Sequence, residues 1–117
     1  MSTPESFSPD DLALAEKTKQ LLLSGVPNFP TTAQLGEQLG TPPATLKIVF
    51  QQVYGAPIRA VRQRMLMEYA RRLLGDTDHS LDEIALLSGY HSQSAFTTAF
   101  RLHFGVTPGS VRRTAQR

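Results

Sequence analysis

The stretch IALLSGYHSQSAFTTAFRLHFGVTP, running from Ile84 to Pro108, decides how the chain folds. Ile84 and Ala85 belong to a short apolar-periodic helix that Gly89 breaks. Ser92 caps a second helix on which Phe96, Phe100 and Phe104 recur every four residues, so all three lie on one face. Gly105 ends that helix, and Thr107-Pro108 opens another, since proline is tolerated in a first helical turn. A short helix, a glycine-bearing turn and a longer helix make a helix-turn-helix unit. The glycine is needed because the turn asks for a left-handed backbone that other residues resist.

Working backwards from this stretch, the same pattern occurs a second time. Leu35, Gly36 and Gly40 reappear 49 positions later as Ile84, Ala85 and Gly89. Leu46, Phe50, Tyr54, Gly55, Pro57–Ile58 and Val61 reappear 50 positions later as Phe96, Phe100, Phe104, Gly105, Thr107–Pro108 and Val111. The offset grows by one inside the turn, where the second copy has an extra residue. Internal repetition makes a plain bundle of helical hairpins a poorer reading than two matched helix-turn-helix units. The small residue of each first helix, Gly36 or Ala85, lets the following helix cross closely.

The remaining segments are helical too. Ser8-Pro9-Asp10-Asp11 is a start signal, and Leu12, Ala15, Leu22 and Leu23 give the first helix an apolar side that ends at Gly25. Thr31 with Gln34, and Ser80 with Glu83, are capping boxes that start the short helix of each unit. Leu35 and Leu39 face inward in the first of these, and Leu81, Ile84, Ala85 and Leu87 are periodic in the second. Residues 57–74 are the longest helical stretch, with apolar Ile58, Val61, Met65, Leu66, Ala70, Leu73 and Leu74 crossed by arginines; Met65 and Met67 read as ordinary fillers. The expected fold is all-α, about seven helices, with two homeodomain-like helix-turn-helix subdomains joined by a long linker helix. The expected organisation is a flexible N-terminal segment at 1–11, a first subdomain at 12–56, the linker helix at 57–75 and a second subdomain at 76–117.

Composition narrows the function. The 117 residues contain no cysteine, so disulfides and thiolate metal sites are excluded, and a reducing cytoplasm, with the nucleoid as the place of work, is the expected location. No apolar run approaches membrane-spanning length, and the polar start lacks a secretory signal pattern. Net charge is +2, unevenly spread. Residues 1–40 carry two lysines against five acids, whereas 41–117 carry ten basic residues against five acids. A basic C-terminal portion suits a polyanion such as double-stranded DNA, and an ordinary solvated surface is the alternative.

Helical geometry then assigns faces. With Phe96, Phe100 and Phe104 turned inward, Gln93, Ser94, Thr97, Thr98 and Arg101 lie outward or near the helix start. Gln pairs bidentately with adenine, Arg with guanine or phosphate, and Thr meets a thymine methyl. The matching positions of the first unit include Ala44, Lys47, Ile48 and Gln51, a face with few base-reading donors. The expected module is therefore asymmetric: the second unit specifies sequence and the first mostly anchors. Thr32, Ser92, Arg62 and Arg112 are the candidates for phosphate contact. Arg62, Arg64, Arg71 and Arg72 also read as a solvated face, with Glu68 as a pairing partner, and Tyr90 as packing beneath its turn.

The strings Ile84-Ala85, Ser88-Gly89-Tyr90, Ser92-Gln93-Ser94-Ala95-Phe96, Ala99-Phe100-Arg101 and Phe104-Gly105-Val106-Thr107-Pro108, followed by Arg112, resemble the DNA-binding domain of the AraC/XylS transcription regulators. The resemblance spans about residues 12–113, and Ala70–Leu74 is similar to the end of that family's linker helix. It implies two recognition helices in successive major-groove turns on one face of the DNA, contact with RNA polymerase, and a separate sensing or dimerising domain. Either a stand-alone regulator or an excised C-terminal domain fits this. The family's usual base-reading arginines are replaced by Ile48 and Thr98, its linker arginine by Leu66, and its first turn serine by Pro42.

Enzyme chemistry finds no footing. His79, His91 and His103 lack metal-ligand spacing, and there is no glycine-rich phosphate loop or nucleophile elbow. Neither a cofactor nor a metal is expected. Asp76, Asp78, Asp82 and Glu83 cluster at a helix start, where the helix dipole favours them. The leading reading is a sequence-specific DNA-binding regulator of transcription. The alternative is a protein-interaction module with weak DNA affinity, which an exposed apolar patch around Ile48 and Val49 would favour.

Overall fold

The computed structural model describes residues 7–116, which form seven α-helices and no strand. They are α1 (Pro9–Gly25), α2 (Thr32–Leu39), α3 (Pro43–Tyr54), α4 (Ile58–Asp76), α5 (Leu81–Leu87), α6 (Gln93–Phe104) and α7 (Pro108–Ala115). This is the all-α arrangement of two helix-turn-helix units joined by a long helix. The chain divides into two compact units within α4, one ending at Arg62 and the other beginning at Gln63.

The first helix starts earlier than the 1–11 segment allowed. Ser8 Oγ accepts a hydrogen bond from Asp11 N at 3.1 Å, so residues 9–11 form a capped first turn rather than a flexible lead. Residues 1–6 of that segment lie outside the described residues.

In the first unit α1 packs on α3 and α2. Ala15, Leu22, Leu35, Leu46, Phe50, Ile58 and Val61 are buried there. Leu23 is half-exposed, contrary to its assignment to the apolar side, and Leu39 is only partly covered. Thr18 takes an inward place instead, because its hydroxyl is satisfied locally by donating to Leu14 O at 2.8 Å.

In the second unit Met67, Ala70, Leu74, Ile84, Ala85, Phe96 and Phe100 form one buried cluster. Tyr90, Phe104 and Val111 pack on its edge. Met67 is thus a core residue, while Met65 and Leu66 are only partly buried. Leu87 is exposed, not inward, because the single buried stripe of so short a helix is already filled by Ile84 and Ala85.

The two turns share one construction. Gly40 (φ 63°) and Gly89 (φ 86°) are both left-handed, and each is followed by an amide that reaches back: Thr41 N to Gly36 O and Tyr90 N to Ala85 O, both 2.9 Å. Gly36 is held to its type more tightly than Ala85, since a Cβ there would sit 2.5 Å from Thr41 O.

Candidate nucleic-acid interface

Helix α6 is held by Ser92, whose hydroxyl accepts from Ala95 N at 3.1 Å, and by its buried Phe96 and Phe100. Burying that face turns the opposite one to solvent. Gln93, Ser94, Thr98 and Arg101 are exposed, and Thr97 is partly covered. Helix α3 repeats the geometry with different chemistry. Leu46, Val49 and Phe50 are buried, and Ala44, Lys47, Ile48 and Gln51 are exposed. Its N-cap, Pro42, offers no side-chain bond. Ile48 is 59% exposed but Val49 only 7%, so the apolar patch at this helix is a single side chain.

The two arginines named for phosphate contact have partners inside the protein. Arg62 Nη2 donates to Pro30 O at 2.7 Å and to Thr32 Oγ1 at 3.5 Å, and its burial lowers the guanidinium pKa. Arg112 donates from Nη2 to Thr77 O at 3.1 Å, from Nε to Leu74 O at 3.3 Å, and from Nη1 to His79 O. These bonds place a fixed positive charge at the carbonyl end of α4, where the helix dipole favours it.

The clamps extend the repeat. Arg62 and Arg112 are 50 positions apart, and the carbonyls they grip, Pro30 and His79, are 49 apart. Each arginine ties down the residue before the N-cap of the short helix of its unit, α2 or α5. Sequence reasoning missed this pairing, although carrying the offset one position past Val61 and Val111 reveals it.

Behind each clamp sits a capping box. Thr31 Oγ1 accepts from Gln34 N at 3.1 Å while Gln34 Oε1 accepts from Thr31 N at 2.8 Å. Ser80 and Glu83 exchange the equivalent bonds, both at 3.1 Å. Glu83 also lies 3.2 Å from His79 Nδ1. The Ser80 backbone N–H, then the His79 contact, hold the Glu83 carboxyl below its ordinary range.

On the linker helix, Arg71 pairs with Glu68 at 2.9 Å and lies 5.2 Å from the Phe104 ring centroid. Tyr90 packs against Phe96 beneath the turn, and its hydroxyl accepts from Gln63 Nε2. Among the described residues no group of three or more His, Cys, Asp or Glu side chains is arranged to hold a metal ion, and no helix is long and apolar enough to cross a membrane.

Residues 35–114 match a family model for a helix-turn-helix domain. Over 81 residues the chain is 36% identical to the HTH-type transcriptional regulator ExsA of Pseudomonas aeruginosa, covering 69% of this chain and 29% of that protein. The chain spans less than a third of the length of such curated relatives. Among solved structures it is similar to a transcriptional regulator with an AraC-type DNA-binding domain from Chromobacterium violaceum, with TM-score 0.81, 22% identity and coverage of 94% of this chain and 98% of that one. It is also similar in fold to the DNA-binding domain of AdpA, solved with a target DNA, with TM-score 0.74, 22% identity and coverage of 87% and 92%.

Proposed function

The chain belongs to the AraC-type family of helix-turn-helix DNA-binding domains, and from that premise we propose that it regulates transcription by reading a DNA sequence with α3 and α6 in successive major-groove turns, α6 being the main base reader. The observation that carries this is the exposed outer face of α6. Gln93, Ser94, Thr98 and Arg101 offer hydrogen-bonding groups there, while the equivalent face of α3 offers Ala44, Lys47, Ile48 and Gln51. Thr97, at the margin of the α6 face, contributes its methyl. Bidentate pairing of Gln or Arg with a purine contributes about 1–3 kcal/mol of discrimination, and an alanine contributes none of that kind.

Thr32 and Ser92 sit where each unit meets the sugar-phosphate backbone. Arg62 and Arg112 serve that contact mainly by holding the chain that leads into α2 and α5. Contact with RNA polymerase and cooperation with a sensing or dimerising domain belong to the same proposal. The exposed Ile48 favours a second reading, a protein-interaction module, but the burial of Val49 leaves that reading a small surface.

The test is a salt titration of binding to a randomised duplex pool, followed by sequencing of the bound fraction. The proposal expects an enriched motif, and Gln93→Ala and Arg101→Ala should relax it more than Lys47→Ala does. Weak binding without enrichment would end the regulator reading.

A further inference from the structure

The first unit contains a cavity of about 300 Å³ bounded by α2, α3 and the start of α4, and three cationic side chains line it: Lys47, Arg59 and Arg62. Thr32 and Gln51 add neutral polar groups, and no acid is among the lining residues. Each water in the liquid occupies roughly 30 Å³, so the space suits a tetrahedral oxyanion with several waters. Three like charges around one space repel one another, and an anion shared between them relieves that repulsion. Among the described residues neither Lys47 nor Arg59 is ion-paired. Arg62 Nε is buried and has no hydrogen-bond partner, although Nη2 of the same group is bonded.

The repeat indicates that these charges are not there for folding. The equivalent positions of the second unit are Leu81 for Thr32, Thr97 for Lys47, Arg101 for Gln51, Gly109 for Arg59 and Arg112 for Arg62. The second unit builds the same helices with threonine and glycine where the first has lysine and arginine. Only the clamping arginine is common to both, so Lys47 and Arg59 are additions peculiar to the first unit.

We propose that this cavity seats one backbone phosphate of bound DNA, held by Lys47 and Arg59 with Arg62 behind them. This rests on the DNA-binding reading and deepens it. The first unit grips the backbone through a built oxyanion site, and Lys47 serves this grip rather than base readout. Phosphate contacts of this kind fix register and orientation without carrying sequence information.

The experiment uses the whole chain and the double variant Lys47→Gln/Arg59→Gln, both positions being exposed and outside the core. Affinity for the enriched duplex is measured against salt concentration. Losing one neutralised phosphate should lower the slope of log K on log salt by about 0.9, with affinity falling equally for matched and mismatched duplexes. Lys17→Gln, which removes a charge on α1, should leave the slope unchanged. Backbone amide shifts of Thr32 and Ile58 are also followed while inorganic phosphate is added to free protein, and the double variant should abolish any response.

An unchanged slope in a variant that still selects its motif would overturn the proposal and leave the DNA-binding reading intact. Loss of motif selection with an unchanged slope would overturn it in favour of Lys47 as a base reader. If the parent chain binds no DNA but phosphate shifts the two amides, both the DNA source and the regulator reading fail. The site would then belong to a free phosphorylated molecule.

Discussion

The two helix-turn-helix units are one design executed with different side chains. Both have a capping box, a left-handed glycine in the turn, a ladder of three apolar or aromatic residues spaced four apart and an arginine clamped to a carbonyl. The second unit has the stronger clamp, the side-chain-capped second helix and the outer face rich in donors. The first has a turn carbonyl pressed against its short helix, the proline-led second helix and the cationic cavity. Shared features follow from what the motif needs in order to fold. Features that differ are free to serve DNA, and so the difference between the units is a guide to function.

The clamps separate the units most. Arg112 makes three bonds to carbonyls where Arg62 has one short bond and one long one. Arg112→Ala should cost about 3 kcal/mol and Arg62→Ala about 1.5, since a hydrogen bond to a charged group contributes roughly 1.5–3 kcal/mol, solvent screens part of each of these bonds, and carbonyls are left unpaired when they are lost. Chemical denaturation of each variant gives both numbers. Equal losses would mean that the additional bonds of Arg112 add little.

The small residues that face the turns differ next. Gly36→Ala would force a backbone shift at Thr41 and should destabilise by about 2 kcal/mol, within the range for overpacking. In the second unit Ala85→Gly should cost about 1 kcal/mol, mostly from helix propensity. A Gly36→Ala variant as stable as the parent would show that the first turn relaxes as readily as the longer second one.

The capping boxes differ least, and only in their response to acid. Gln34 does not titrate, whereas Glu83 is held below its ordinary range by the bonds it accepts. A carboxyl with a lowered folded pKa contributes stability above its unfolded value and loses it as pH falls through the folded one. Acid unfolding of Glu83→Gln should therefore be flatter than that of the parent, and Gln34→Glu should steepen it. Identical acid limbs would place the acid sensitivity elsewhere.

Much of this is legible in the linear chain. Helix starts, glycine stops and the aromatic ladder are local matters, settled within four residues, and the recurrence of Leu35 to Val61 as Ile84 to Val111 carried the fold with them. The outer faces of α3 and α6 followed from which residues turned inward. Errors fell where two stripes competed for burial. Leu23 and Leu87 continue an apolar period yet stay exposed, while Thr18, which went unremarked, and Met67, read as an ordinary filler, are buried.

Helical period, capping chemistry and the need of each turn for glycine act between near neighbours, and so the linear order of residues sufficed to specify two matched units, their cores in outline and the faces left to solvent. Long-range partners are different, because they depend on how elements meet. That Arg112 would reach back 33 residues to His79 O, that a Cβ at Gly36 would strike Thr41, and that Lys47, Arg59 and Arg62 would surround one cavity became known only when the helices were packed. Packing alone fixes which charges a guanidinium meets, and whether it grips its own backbone or remains available to a phosphate.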